Sequence, residues 1–217
     1  MIYRHLNMDT ISARFKQKVK IEWSHPFAYA IGLITSDGCL SSDYRHILFA
    51  SKDQELIEKF KGALRLGNKI GKNRRGGEVE KKYFHIQFGD KIFYQFLNSI
   101  GLYRAKSRTI QSVLVPLIYF PAFLRGLFDG DGCFYSFWDK RWPASFGFQV
   151  SFPSASLLFV MWLKDHLSKL YGVKGFIRKG DGVFNLQYVK GDSRKICSIM
   201  YSNAGELYLS RKYKKIM

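Results

Sequence analysis

The chain has 217 residues, a formal net charge of +18 and 47% hydrophobic residues. That length serves one substantial domain or two small intimate ones, and the hydrophobic fraction supports a real core. The 35 Lys and Arg against 17 Asp and Glu are spread along the whole chain, which points to a polyanionic partner, most simply nucleic acid, with a membrane surface or a ribosome as the other targets such charge permits. No apolar run approaches the roughly 20 residues of a membrane span, and residues 1–25 lack the apolar core of a secretory signal. Three Cys residues make neither a disulfide framework nor a zinc-site spacing. Reduced thiols in an intracellular protein, of the cytoplasm or an organelle matrix, are therefore expected.

Met1 to Ser24 has little periodicity. Arg14, Lys16, Lys18 and Lys20 make it locally basic, so residues 1–25 read as a lead-in, either solvated or laid on phosphates. Pro26 suits the first turn of a helix, and an apolar helix runs from there to Asp37-Gly38. Leu40 to Arg45 and His46 to Ser51 read as a hairpin turned near Asp43-Tyr44. Asp53 to Leu66 is an amphipathic helix, with Leu56, Ile57, Phe60 and Leu64 at helical spacing, and Gly67-Asn68 ends it. Lys69 to Arg74 and Lys82 to Phe88 are strands around Gly76-Gly77, and Ile92 to Leu102 is a further helix.

The second half repeats this order after a linker at 107–119. A helix ends at Asp131-Gly132, and Cys133 to Arg141 and Ser145 to Phe152 are strands joined near Trp142-Pro143. Ser154 to Tyr171 is a helix. Val173 to Lys179 and Val183 to Val189 pair around Gly180-Asp181-Gly182, and Ser193 to Ser202 is the last helix. Phe84-His85-Ile86-Gln87-Phe88 is echoed by Phe184-Asn185-Leu186-Gln187-Tyr188. The expected fold is α+β: two αββαββα units, 26–106 and 120–217, related by pseudo-twofold symmetry.

The repeat is sharpest where Tyr29 to Leu40 aligns without a gap on Phe123 to Phe134, at an offset of 94 (131 − 37). Small residues recur every fourth position in both copies: Ala28, Gly32 and Ser36, then Ala122, Gly126 and Gly130. Residues four apart share a helix face, and small side chains there let two helix backbones approach closely. Helices packed on these faces bring Asp37 and Asp131 together at one end of the seam. Two adjacent carboxylates repel unless a cation lies between them, and a hard ion such as Mg²⁺ is the natural occupant.

Strand alternation separates an apolar row (Phe84, Ile86, Phe88; Phe146, Phe148, Val150, Phe152; Phe184, Leu186), which should pack on the helices, from a polar row. The polar row comprises Tyr83, His85, Gln87, Gln149, Ser151, Asn185 and Gln187. Counting outward from the acids adds Ser41, Asp43 and Arg45 in the first half and Tyr135, Phe137, Asp139 and Arg141 in the second. Such a two-stranded face fits a major groove and can read base edges. Basic residues at strand ends and turns, Arg45, Lys72, Arg74, Arg75, Lys81, Arg141, Lys174, Arg178 and Lys179, would meet phosphates and fix register. Phe137 and Trp138 are bulky and adjacent, so one of them must be exposed unless loops cover it.

Leu124-Arg125-Gly126-Leu127-Phe128-Asp129-Gly130-Asp131-Gly132 resembles the motif that names the LAGLIDADG homing endonucleases. Ala30 to Gly38 is a more divergent copy, with Thr35 where that family usually has an acidic residue. The resemblance implies a single-chain, two-motif protein whose sheets form a DNA-binding saddle. It further implies that Asp37 and Asp131 are catalytic and hold two or more Mg²⁺ ions, helped by the carbonyls of Ser36 and Gly130. The implied reaction is scission of both strands of double-stranded DNA across the minor groove, leaving short 3′ overhangs. A basic residue near each site is implied as well; by position after the last helix of each half these are Lys106 and Lys212, with Arg211 a rival for the second. The expectation is a monomer acting on a long asymmetric site, without a protein partner. The alternative is a non-cutting binder on the same fold, an intron RNA maturase or a DNA-binding regulator. An intein is disfavoured, since the chain starts at Met1 without a Cys or Ser nucleophile and ends in Lys-Ile-Met.

Overall fold

Ser24 starts the first helix: its hydroxyl accepts from the amide of Phe27 at 3.3 Å, and Pro26 occupies the first turn, where its missing N–H costs no hydrogen bond. The computed structural model describes residues 17–73 and 82–217. In it this helix, α1 (His25–Asp37), is followed by β1 (Gly38–Leu40), β2 (His46–Ser51), α2 (Gln54–Ala63), β3 (Gly71–Asn73), β4 (Tyr83–Gly89) and α3 (Lys91–Ser99). The second half gives α4 (Phe120–Gly130), β5 (Cys133–Asp139), β6 (Trp142–Ser154), α5 (Leu157–Tyr171), β7 (Phe176–Lys179), β8 (Phe184–Val189) and α6 (Lys190–Tyr201). A short α7 (Ser210–Ile216) closes the chain.

Both halves build a four-stranded antiparallel sheet in the same spatial order, β1-β2-β4-β3 and β5-β6-β8-β7. This is a duplicated αββαββα unit of the α+β class. Between the sheets lie α1 and α4, buried from Phe27 to Thr35 and over nearly all of Phe120 to Asp129. A helix apolar on every side belongs in the middle layer. Ile47, Phe49, Ile86 and Phe88 of one sheet, and Val150, Phe152, Leu186 and Tyr188 of the other, point into the core.

The seam is backbone against backbone. A methyl group added at Gly32 would overlap the carbonyl oxygen of Phe123, and one at Gly126 would overlap that of Tyr29. Glycine at both positions is therefore a steric requirement.

Several boundaries differ from expectation. The lead-in is anchored from Lys18 on: the amides of Lys18 and Val19 donate to Asp90 Oδ2 at 2.7 and 2.9 Å, and Val19 is buried. Arg14 and Lys16 lie outside the described residues. The β5–β6 turn is Lys140-Arg141, because Asp139 pairs with Trp142 and draws Trp142 and Pro143 into β6. Ile110 and Val113 of the expected linker are core residues, and the Ser156 hydroxyl, which caps α5, donates to the Ile110 carbonyl.

Candidate active site and nucleic-acid face

Asp37 and Asp131 emerge at the same end of the seam, both exposed. Gly130 lies directly against the Ser36 hydroxyl and the Asp37 carboxylate, and any side chain there would overlap both. Third in its row of small residues, as Ser36 is in the other, Gly130 thus lets the acids converge. A cleft of about 450 Å³ opens beside Asp37, lined by Cys39, Leu48, Tyr83 and Lys106 among others. A smaller one of about 170 Å³ brings Ser36, Lys106 and Asp131 together. Lys106 thus borders both acids.

The two lysines are buried, and each is held by backbone. Lys106, in a single 3₁₀ turn, donates to the carbonyl of Gly38, the residue after Asp37. Lys212, on α7, donates to the carbonyls of Phe128, Gly130 and Gly132 at 2.6, 3.0 and 2.6 Å. An ammonium there neutralises the unpaired carbonyls at the end of α4. Burial pulls the pKa of Lys106 down and that of Lys212 down to about 8, while nearby carboxylates, including Asp37 and Asp131, oppose the shift in both. Arg211 is committed elsewhere: it pairs with Asp53 at 2.8 and 2.7 Å.

Both side chains reach solvent, yet the protein packed around their carboxyl groups strips away part of their hydration; this desolvation and then the charge of Asp131 push Asp37 up to about 6, and desolvation pushes Asp131 up. Mg²⁺ binds through one or two carboxylates, keeps several waters and takes its remaining ligands from substrate phosphate. Two converging, exposed acids with a repulsion to relieve fit that habit, and among the described residues no third His, Cys, Asp or Glu completes a closed metal cage. The sign of the pH effect follows. A carboxylate whose folded pKa is raised keeps a proton between about pH 4 and 6 that the unfolded chain releases, so stability falls as pH rises through that window. The melting temperature of Asp37→Asn minus that of the starting protein, in metal-free buffer, is therefore expected to grow from pH 4 to 6 and level off above. Millimolar Mg²⁺ should narrow the difference at pH 7.5; a pH-independent difference would contradict the coupling.

A buried polar network behind the site escaped the sequence reading. Asp129, fully buried, accepts from the Tyr29 hydroxyl and the Leu209 amide, both at 2.8 Å. Burial raises its pKa to about 6 against those hydrogen bonds and the charges of Lys212 and Arg125. Arg125, itself buried, donates to the carbonyls of Leu207 and Met200 and lies over the Tyr29 ring. Motif residues of α4 thus tether the segment that carries Lys212. The aligned Thr35 only donates to Ile31 of its own helix. Asp129→Ala would strand two buried donors, each costing about 1–3 kcal/mol. A loss of roughly 2 kcal/mol or more in urea unfolding is expected, against less than 1 kcal/mol for Thr35→Ala.

Strand register places most of the expected reading residues on the side away from the core. Tyr83, His85 and Gln87 share a face with Cys39, Leu48 and Ala50. Cys133, Tyr135 and Phe137 share one with Gln149, Ser151, Asn185, Gln187 and Arg178. Not all of the expected contact residues lie on that side. Lys72 is in register with Phe84, on the helix-packed face, with its ammonium 4.8 Å from the Phe84 ring centroid; its neighbour Asn73 faces outward beside Tyr83. Lys179 likewise pairs with Phe184 on that side. Asp43 serves its own turn, accepting from the amides of Arg45 and His46 and bonding the His46 ring, which together bring its pKa down to about 2. Ser41 is half-buried, its carbonyl taken by the Tyr94 hydroxyl, and Arg45 is exposed. Lys174 is exposed just ahead of β7, its amide bonded to Asp192. Arg141 sits in the β5–β6 turn. Phe146, expected in the core, is 50% exposed beside Trp138 at 63%, in a cleft whose other wall is Arg194 and Cys197 of α6 and the end of α7; Phe137 is exposed too. Arg74, Arg75 and Lys81, the Gly76-Gly77 turn and the side chain of Asp139 lie outside the described residues.

No protein-family model matches the sequence, and no curated protein matches it. Solved structures do. The meganuclease I-SmaMI bound to uncleaveable DNA matches with a TM-score of 0.58 at 17% identity, over 88% of this chain and 87% of that one. The homing endonuclease I-WcaI bound to its DNA recognition sequence matches with a TM-score of 0.61 at 10% identity, over 100% and 95%. This chain has the LAGLIDADG fold. The N-terminal LAGLIDADG domain of DUF199/WhiA shares the fold too, with a TM-score of 0.56 at 14% identity over 90% and 89%. A LAGLIDADG fold therefore accounts for the duplicated architecture and the sheet order, at identities that speak to fold alone. No helix among the described residues is long and apolar enough to cross a membrane.

Proposed function

We propose that the chain is a site-specific, Mg²⁺-dependent endonuclease that binds double-stranded DNA as a monomer and hydrolyses a phosphodiester on each strand. The observation that carries this reading is the pair of exposed acids converging beside Gly130 at the end of the seam. Asp37 and Asp131, with the carbonyls of Ser36 and Gly130, would hold Mg²⁺, which supplies charge neutralisation at the phosphate. Lys106 and Lys212 add fixed positive charge behind the acids and hold the chain ends that carry them. The outward faces of the two sheets bind the duplex and set its register. Their unlike residues, His85 against Asn185 and Ser41 against Tyr135, suit two unlike half-sites on one chain, whereas a homodimer favours a palindrome.

Incubation with a randomised duplex library and Mg²⁺, followed by sequencing of cut ends, tests the proposal. Cut ends converging on one asymmetric site are expected, with 1:1 protein-to-duplex stoichiometry by ultracentrifugation. Affinity should fall steeply with salt, by about 0.9 log units per log unit of salt for each phosphate neutralised. A 2:1 complex on a palindrome, or salt-independent binding, would overturn the single-chain saddle.

One observation favours a second reading, a non-cutting duplex binder. The Gly130 carbonyl already accepts from Lys212 at 3.0 Å, which leaves one lone pair for a cation. Sequence-selective binding without cut ends in Mg²⁺ or Mn²⁺ would decide for it.

A further inference from the structure

The outward face of β5 carries two large aromatic side chains that the fold does not need. Tyr135 is 59% exposed and Phe137 is 39% exposed. Their rings stack with centroids 5.5 Å apart and planes 25° apart. Phe137 lies across Gly147, its cross-strand partner, where any Cβ would collide with the ring. The pair is therefore a preset platform rather than two free rotors. It shares its face with Gln149, Gln187 and Arg178, and Lys140 lies at the turn beyond it. Ser41 and Asp43 hold the aligned positions of the first half, where β1 has only three residues. At the aligned positions, therefore, only the second half carries such a pair.

An apolar pair among neutral hydrogen-bonding side chains, with Arg178 beside it and Lys140 and Arg141 at the turn, on the strand that starts two residues after Asp131, calls for an occupant that is polyanionic overall and apolar at one spot. The major groove offers one such spot, the C5-methyl group of thymine. We infer that Tyr135 and Phe137 read thymine methyl groups in the half-site under β5–β6. At about 3.3 Å per strand residue they lie roughly 13 and 20 Å along the strand from Asp131. Divided by about 3.4 Å per base step, that puts the thymines about four to six base pairs from the centre of the site. The inference rests on the reading of the chain as a duplex-DNA binder.

Selection by binding from two randomised duplex pools, identical except that one carries deoxyuridine for every thymidine, tests it on the unmodified protein. The thymidine pool should yield a site with thymines at those positions on one side only. Deoxyuridine at one of them should weaken binding about fourfold, the worth of one buried methyl. That loss should vanish in the double variant Tyr135→Ser, Phe137→Ser. A selected half-site without thymine there, equal affinity for both duplexes, or an undiminished loss in the double variant each overturns the inference while leaving duplex binding intact. Failure to bind either pool overturns the duplex-binding reading and this inference with it.

Discussion

Asp37→Asn and Asp131→Asn are each expected to lower double-strand cleavage by about a hundred- to a thousandfold while duplex affinity stays within a few-fold. An amide keeps the shape and a hydrogen-bonding oxygen but removes the charge that attracts a cation, and losing one preorganised electrostatic group commonly costs about 10²–10³ in rate. Affinity is spared because it comes from many contacts along both sheets and from phosphate neutralisation. Cleavage of a plasmid carrying the selected site, alongside a binding titration without Mg²⁺, measures both. Double-strand cleavage by either variant near the original rate would remove the acids from the mechanism. A parallel collapse of affinity would show that they hold the fold.

Gly126→Ala is expected to be among the most damaging single-methyl additions in the chain. Its Cβ would fall on the carbonyl oxygen of Tyr29 and press on the Leu33 amide, and both are backbone atoms of a buried helix. A flexible side chain can swing away from an intruding methyl; a helix backbone cannot. Overpacking typically costs about 1–3 kcal/mol, occasionally more, and this site belongs at or above the top of that range. Gly62→Ala is the control: it adds the same methyl where nothing lies within 4 Å. Urea denaturation of both variants checks this, and equal midpoints would mean that the helices do not touch as described.

The seam was legible in the sequence because steric demands leave a pattern. Small residues every fourth position, twice, with an acid at the same offset, follow from helix geometry alone. Strand faces were legible for the same reason, since alternation has period two. Coverage was not. Parity placed Phe146 on the inward row, but nothing local said how closely the helices would cover that row. The face on which Lys72 stands was not legible, because β3 is three residues long and its parity depends on pairing with β4. Asp129, Tyr29 and Leu209 could not be joined in advance: they lie 100 and 80 positions apart, and only the tertiary fold brings them together. Lys106 and Lys212 were located by their place after each half, but burial and carbonyl ligation are properties of the surroundings.

The glycine seam also bears on how such a chain can change over time. The separation of the two acids is set by carbonyl and amide atoms, which every sequence shares, rather than by side chains that vary. Each sheet can exchange its outward residues, and each half can repack its own core, without altering the gap between Asp37 and Asp131. The outward faces can therefore drift widely while the placement of the two acids stands still, provided Gly32, Gly126 and Gly130 are left alone.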